Sequence, residues 1–181
     1  MTDPRIRILT EDQTRQALPA LADILVDCVE GGASVGFLAP YTQADALSFW
    51  DGVRASVGQQ ATVLLAAEVD GEILGTVQLG VKLPPNQPHR ADLKKLLVHR
   101  RGRGLGLARA LMEAAEAQAA GMGRHVLVLD TATESPAEAI YERLGWSRVG
   151  VIPDYAMMPD GSYCGSTFFY KRVERAEPAN G

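Results

Sequence analysis

Cysteine is scarce in this 181-residue chain: Cys28 and Cys164 are the only two. They stand far apart, outside any CxxC or Cys/His ligand spacing, which argues against a zinc site or a disulfide framework and makes two reduced thiols the expectation. No metal is expected. Long apolar runs are also missing. No stretch of ~20 apolar residues occurs, and no charged start followed by an apolar segment opens the chain, so no membrane partner and a cytoplasmic location are expected. Charge of one sign is equally thin. The 18 Lys and Arg against 22 Asp and Glu leave a net charge of −4, and the longest basic cluster is the short one at residues 100–103. That balance fits neither disorder nor a nucleic-acid binder and leaves a small molecule as the expected partner. With 46% hydrophobic residues, the chain can bury one core and is too short for two. One domain over residues 1–173 is expected, with residues 174–181 as a frayed tail.

Periodicity orders the elements. Residues 5–9 alternate charged and apolar side chains, as a half-buried strand does. Over residues 14–29, Leu18, Leu21, Ala22, Leu25, Val26 and Val29 fall three and four apart and glycines follow, which predicts a helix whose start Pro19 can shift. Thr42 with Asp45 predicts a capped second helix to about Val57. Two β-branched runs, 62–69 and 72–81, flank Asp70-Gly71, a hairpin turn signal. A proline-rich loop leads to a strand at 90–98, then a helix at 104–120, a strand at 125–130, a helix at 135–144 and a strand at 146–152. Pro153, Pro159 and Asp160-Gly161 mark a loop before a last strand near 166–171. The order is a mixed α/β domain.

Chemistry concentrates at two places. Arg101-Gly102-Arg103-Gly104-Leu105-Gly106 lies between a strand and a helix, where unpaired N–H groups and the positive helix end make an anion cradle. The dinucleotide fingerprint would need glycine where Arg109 stands, and the Walker pattern is absent. A solvated basic turn is the plain alternative. Downstream, Ser135-Pro136-Ala137-Glu138 is a helix start with Ser135 as N-cap and Glu138 reaching back. Inside that helix Tyr141 shares a face with Ala137, Ile140 and Leu144, so it reads either as a core aromatic or as a working hydroxyl. Asp130 ends the preceding strand, either setting the turn or serving a site there.

Arg101, Gly104 and Gly106 match the Arg/Gln-x-x-Gly-x-Gly/Ala pattern of the GNAT (GCN5-related N-acetyltransferase) family, and Ala137-x-x-Ile140-Tyr141-x-x-x-Gly145-Trp146 resembles that family's second cofactor motif. The likeness runs through nearly the whole chain. Residues 31–37, Trp50-Asp51-Gly52, Leu129-Asp130-Thr131 and Met158-Pro159-Asp160-Gly161 resemble family members that acetylate an amino-acid-like toxin. The resemblance implies a mostly antiparallel mixed sheet splayed between its fourth and fifth strands, flanked by about four helices. It implies acetyl-CoA as co-substrate, held by Leu96, Leu97, Val98, Arg101, Gly102, Arg103, Gly104, Leu105, Gly106 and Leu107. Asp130 would be the general base, with Asp92 a second candidate, and Tyr141 the general acid. Ser34, Phe37, Trp50, Tyr155 and Asp92 would meet the acceptor, a primary amine on a small molecule. A homodimer, a protein or peptide N-acetyltransferase and a catalytically silent acyl-CoA-binding module stay open. Two departures stand out: only His99 and Arg100 separate the strand from Arg101, where the family usually has about four residues, and Glu134 replaces a frequent asparagine.

Overall fold

A computed structural model of the chain describes residues 4–174; of the expected frayed tail, only Glu174 falls among them. The elements in chain order are β1 (Arg5–Leu9), α1 (Glu11–Glu30), α2 (Gln43–Gly58), β2 (Thr62–Val69), β3 (Glu72–Gly80), β4 (Arg90–Val98), a single 3₁₀ turn (Arg100–Gly102), α3 (Leu107–Gly121), β5 (Val126–Ala132), α4 (Pro136–Arg143), β6 (Ser147–Met157) and β7 (Tyr163–Arg172). They form one seven-stranded sheet in the order β1-β2-β3-β4-β5-β7-β6. Only β4 and β5 pair in parallel; every other neighbour is antiparallel. This is the expected mixed sheet with four helices.

Alternation along the strands divides the core into two layers. Val77 and Leu79 of β3 and Leu127 and Leu129 of β5 pack with Leu111, Met112 and Ala115 of α3 and Tyr141 of α4. Leu64 and Ala66 of β2 and Leu97 of β4 face the other way, onto Leu21 and Leu25 of α1 and Trp50 of α2. The sheet is therefore covered by α3 and α4 on one face and by α1 and α2 on the other, while the edge strand β6 is largely exposed.

Three boundaries move from the sequence expectation. Helix α1 begins at Glu11 because Thr10 caps it: the Gln13 N–H donates to Thr10 Oγ1 at 3.2 Å, and the Thr10 N–H donates to Gln13 Oε1 at 3.0 Å. Pro19 thus lies inside the helix, where it withholds one backbone donor and crowds the carbonyl of Arg15. Ser135 does precede α4, but its hydroxyl caps nothing; Glu138 instead accepts the Glu134 N–H at 2.8 Å. At the C-terminal end, Pro153 sits within β6 and not in a loop. An edge strand tolerates proline because one side of its ladder is free, so the true turn shrinks to residues 158–162, closed by Met158 N–H to Ser162 O at 2.8 Å. The Asp70-Gly71 turn is as expected, with φ of 51° and 83°.

Candidate active site

Strands β4 and β5 pair at only three positions, Arg90 with Val126, Ala91 with Leu127 and Asp92 with Val128, and then diverge. The cause on the β4 side is a bulge. Thr76 of β3 pairs with Leu97 and Gln78 with Lys94, so Lys95 and Leu96 together face Val77, and Lys95 takes a left-handed φ of 54°. An extra residue of this kind bends its strand away from the regular ladder. Beyond the bulge the His99 N–H donates to Leu74 O at 2.9 Å. Antiparallel alternation then turns the Val98 N–H away from β3, into the gap, and the Leu97 N–H toward β3. The side chains of Leu96, Leu97 and Val98 pack into the core, so what these residues offer the gap is backbone.

The glycine turn follows directly. His99 Nδ1 accepts the Arg101 N–H at 3.1 Å, starting the 3₁₀ turn that spans the short connection. Asp27, nearly buried at the end of α1, accepts the Arg100 N–H at 2.8 Å and pairs with the Arg100 guanidinium. Burial works against the charge of Asp27, but the hydrogen bonds from Arg100 and the nearby His99 outweigh it and hold the carboxyl below its usual range. The loop's base is thereby fixed to α1. Gly102 is a packing requirement, since a Cβ there would lie 2.7 Å from Leu107 Cδ1. Gly104 and Gly106 have φ of 80° and 76° with open space where a side chain would go. No side chain caps α3, and the N–H groups of Gly104, Gly106 and Leu107 reach no acceptor among the described residues. Arg101 pairs with Glu72 at 2.6 Å, while Arg103 has no carboxylate within salt-bridge distance among the described residues. A cluster of unpaired donors beside a free guanidinium is suited to phosphate oxygens. Leu105 is half exposed and Leu107 buried.

Asp130 and Tyr141 flank the gap from opposite sides. Leu127 and Leu129 face α3, so alternation places Asp130 on the face covered by α1 and α2. It is exposed, and the Ser166 hydroxyl on neighbouring β7 donates to its Oδ2 at 2.7 Å. Tyr141 is on the other face, 6% exposed, its ring 5.7 Å from Phe169 and 6.2 Å from Trp146 between centroids. Burial, and then the charge of Asp130, push its pKa well above the usual tyrosine range. The phenol is a firmly protonated donor.

Over the Asp130 face, the α1–α2 loop reaches across to the β6–β7 hairpin. The Ala39 N–H donates to Pro159 O at 2.8 Å, and the Ser34 hydroxyl lies 3.5 Å from Met157 O and 3.8 Å from Cys164 Sγ. Phe37 stacks on Tyr41 and Phe49 at 4.6 and 5.1 Å. Tyr155 lies exposed against Phe168. Trp50 is fully buried in the helix layer, so its ring is core and does not line the site as expected. Asp92 sits at the last paired position, bound to the Arg90 guanidinium, below the divergence. The thiol of Cys28 is buried and pushed up to about 11, mainly by desolvation; it is no nucleophile at neutral pH. Two residues were missed by the sequence reading, Ser166 beside Asp130 and Lys95. Lys95 reaches from the bulge under Phe37 and Phe49, and the signal available was that adjacent Lys94 and Lys95 cannot both face solvent in a regular strand.

Among the described residues no group of three or more His, Cys, Asp or Glu could hold a metal ion, and no helix is long and apolar enough to cross a membrane.

The family model for acetyltransferase (GNAT) matches residues 18–146. An uncharacterized N-acetyltransferase from the hisH-hisA intergenic region of Azospirillum brasilense is 34% identical over 133 residues, 72% of this chain and 76% of its own length. Among solved structures, an N-acetyltransferase from Staphylococcus aureus superposes with a TM-score of 0.78 at 16% identity, covering 96% of this chain and all of the other. The Salmonella typhimurium protein yncA, solved with its cofactor acetyl-CoA, superposes with a TM-score of 0.76 at 18% identity, covering 99% of this chain and 100% of its own. At such identities the likeness is one of fold.

Proposed function

Since the chain belongs to the acetyltransferase (GNAT) family and is an acetyl-CoA-dependent N-acetyltransferase, we propose that it moves the acetyl group to a primary amine on a small, amino-acid-like molecule by direct transfer. The observation that carries this reading is the gap between β4 and β5 with Asp130 on one face and the protonated Tyr141 on the other.

The residues divide the work. The donors at Gly104, Gly106 and Leu107, with Arg103, would hold the pyrophosphate, and the free β4 edge the pantetheine arm. An alkyl ammonium with a pKa of ~10 must lose a proton before attack. Asp130, directly or through water, takes that proton, and Ser166 orients its carboxylate. The Val98 N–H, turned into the gap, stabilises negative charge building on the thioester oxygen. Tyr141 gives its proton to the departing sulfur. No covalent enzyme intermediate is needed, which suits the inert Cys28.

The finer acceptor assignment rests on segments 31–37 and 158–161, which resemble the tabtoxin resistance protein of the same family, and on their position: they are the two loops bonded together over the Asp130 face. The bond between the two loops would narrow the approach to Asp130, which favours a small acceptor over a protein chain, with a peptide N-terminus as the second reading. A homodimer is the assembly we favour, because edge strand β6 exposes Val149, Val151, Ile152 and Tyr155. The setting is taken as cytoplasmic.

Thiol release from acetyl-CoA, followed across amino acids, polyamines, aminoglycosides and peptides, tests the function. Steady release with small amines supports it; acetyl-CoA binding without release from any amine would reassign the chain to a silent binding module. Light scattering on the purified protein checks the dimer.

A further inference from the structure

Lys95 is a half-buried cation set in the β4 bulge. The bulge lifts it out of the β3–β4 ladder with φ of 54°, a conformation that a non-glycine residue adopts at a cost. Its side chain crosses to the α1–α2 side, where Nζ donates to Val35 O and lies 5.1 Å from the centroid of Phe37 and 5.7 Å from that of Phe49. Gly36 is part of the fit, since a Cβ there would stand 3.1 Å from Nζ. No carboxylate lies within salt-bridge distance of Lys95 among the described residues. Burial, and then the neighbouring Lys94, pull its pKa down; Asp130 alone pulls it up.

The surroundings share this incompleteness. The Tyr41 hydroxyl, on a ring tilted against Phe37, is buried without a hydrogen-bond partner among the described residues. So is the Gln78 amide nitrogen, opposite Lys94 in the ladder. A half-buried ammonium with no carboxylate partner among the described residues is an incomplete anion site, since it has three donors and Val35 O takes one.

We propose that Lys95 is the specificity residue of the acceptor pocket, binding a carboxylate carried by the same molecule whose amine faces Asp130. The proposal rests on the acetyltransferase reading above and adds to it the acceptor's second charge. A zwitterion spans the two residues: its carboxylate meets Lys95 under the Phe37 and Phe49 rings, and its ammonium meets Asp130 at the mouth of the gap. An amine lacking the acid leaves the half-buried ammonium without a counter-charge, so the pocket selects against it.

The test compares α-, β- and γ-amino acids with their own primary carboxamides as acceptors, alongside polyamines and aminoglycosides, for the wild type, Lys95→Met and Lys95→Arg. For at least one acid and amide pair, the wild type favours the acid in kcat/KM by about 10- to 100-fold, as expected for a hydrogen bond to a charged group. Lys95→Met brings that ratio to about one, chiefly through KM for the acid, while Lys95→Arg keeps most of it. Thermal melts of both variants show whether they fold, and the arginine variant keeps the test open should the methionine variant fail. An equal preference for acid over amide in wild type and folded Lys95→Met overturns the proposal and returns Lys95 to a clamp on the aromatic loop. Acetylation of polyamines or aminoglycosides but of no amino acid also overturns it and leaves the acetyltransferase standing. No transfer to any amine overturns the function itself, and the proposal with it.

Discussion

Tyr141 and Asp130 are separable by single atoms. Phenylalanine at 141 keeps the ring packing against Trp146 and Phe169 and deletes only the donor. Tyr141→Phe should lower kcat by about 10- to 1000-fold with acetyl-CoA affinity nearly intact; wild-type turnover under conditions where chemistry limits the rate would make the residue a core aromatic. Because its folded pKa is raised, the phenol stays protonated well beyond ~10, where the unfolded chain's tyrosine ionises. Its contribution to stability is therefore complete below ~10 and is lost only above it, and no alkaline fall in rate near 10 should trace to Tyr141. Asp130→Asn should reduce turnover more at neutral pH than near pH 10, where the amine already supplies its neutral form; an equal loss across a pH–rate profile would make Asp130 a positioning group. Both residues were legible in the sequence, since each sits in a contiguous motif. Lys95 was not, because a one-residue bulge reassigns the face of every side chain near it, and the adjacent Lys94-Lys95 pair hints at an irregular strand without saying which lysine turns inward.

At the scale of elements, the turn between β4 and α3 carries a sharper test. Gly104 has room for a side chain but a left-handed φ, so Gly104→Asp combines backbone strain with negative charge among the phosphate donors. Acetyl-CoA affinity should fall at least tenfold by calorimetry; unchanged affinity in the folded variant would remove the turn from the cofactor site. The sequence placed this turn correctly because glycines and arginines between a strand and a helix have few other uses. It could not show that Arg101 is engaged by Glu72 while Arg103 has no carboxylate within salt-bridge distance among the described residues, since Glu72 lies 29 residues away in the chain. The cap of α1 and the extent of β6 were misjudged for a related reason. Thr10 stands ahead of the visible apolar period, and Pro153 signals a loop only where both sides of a strand are paired.

Across the whole molecule, the alternating elements gave the mixed sheet and its helices, but the two-layer core and the bridge between the α1–α2 loop and the β6–β7 hairpin depend on contacts distant in sequence. The β4–β5 seam has a further consequence. Three residue pairs join one half of the sheet, β1 to β4, to the other, β5, β7 and β6. A ligand lodged in that seam takes part in holding the halves together, so occupancy and unfolding are linked. At free acetyl-CoA 100-fold above its Kd, linkage adds about 2.7 kcal/mol, and each kcal/mol raises Tm by about 2–4 °C in a chain of this size. Melts across stepped acetyl-CoA concentrations should climb accordingly, and a flat Tm would show that nothing binds the seam. Where the chain recloses faster than it is cut, protease cleavage follows the same equilibrium, so acetyl-CoA should slow digestion of the purified enzyme in step with its rise in Tm.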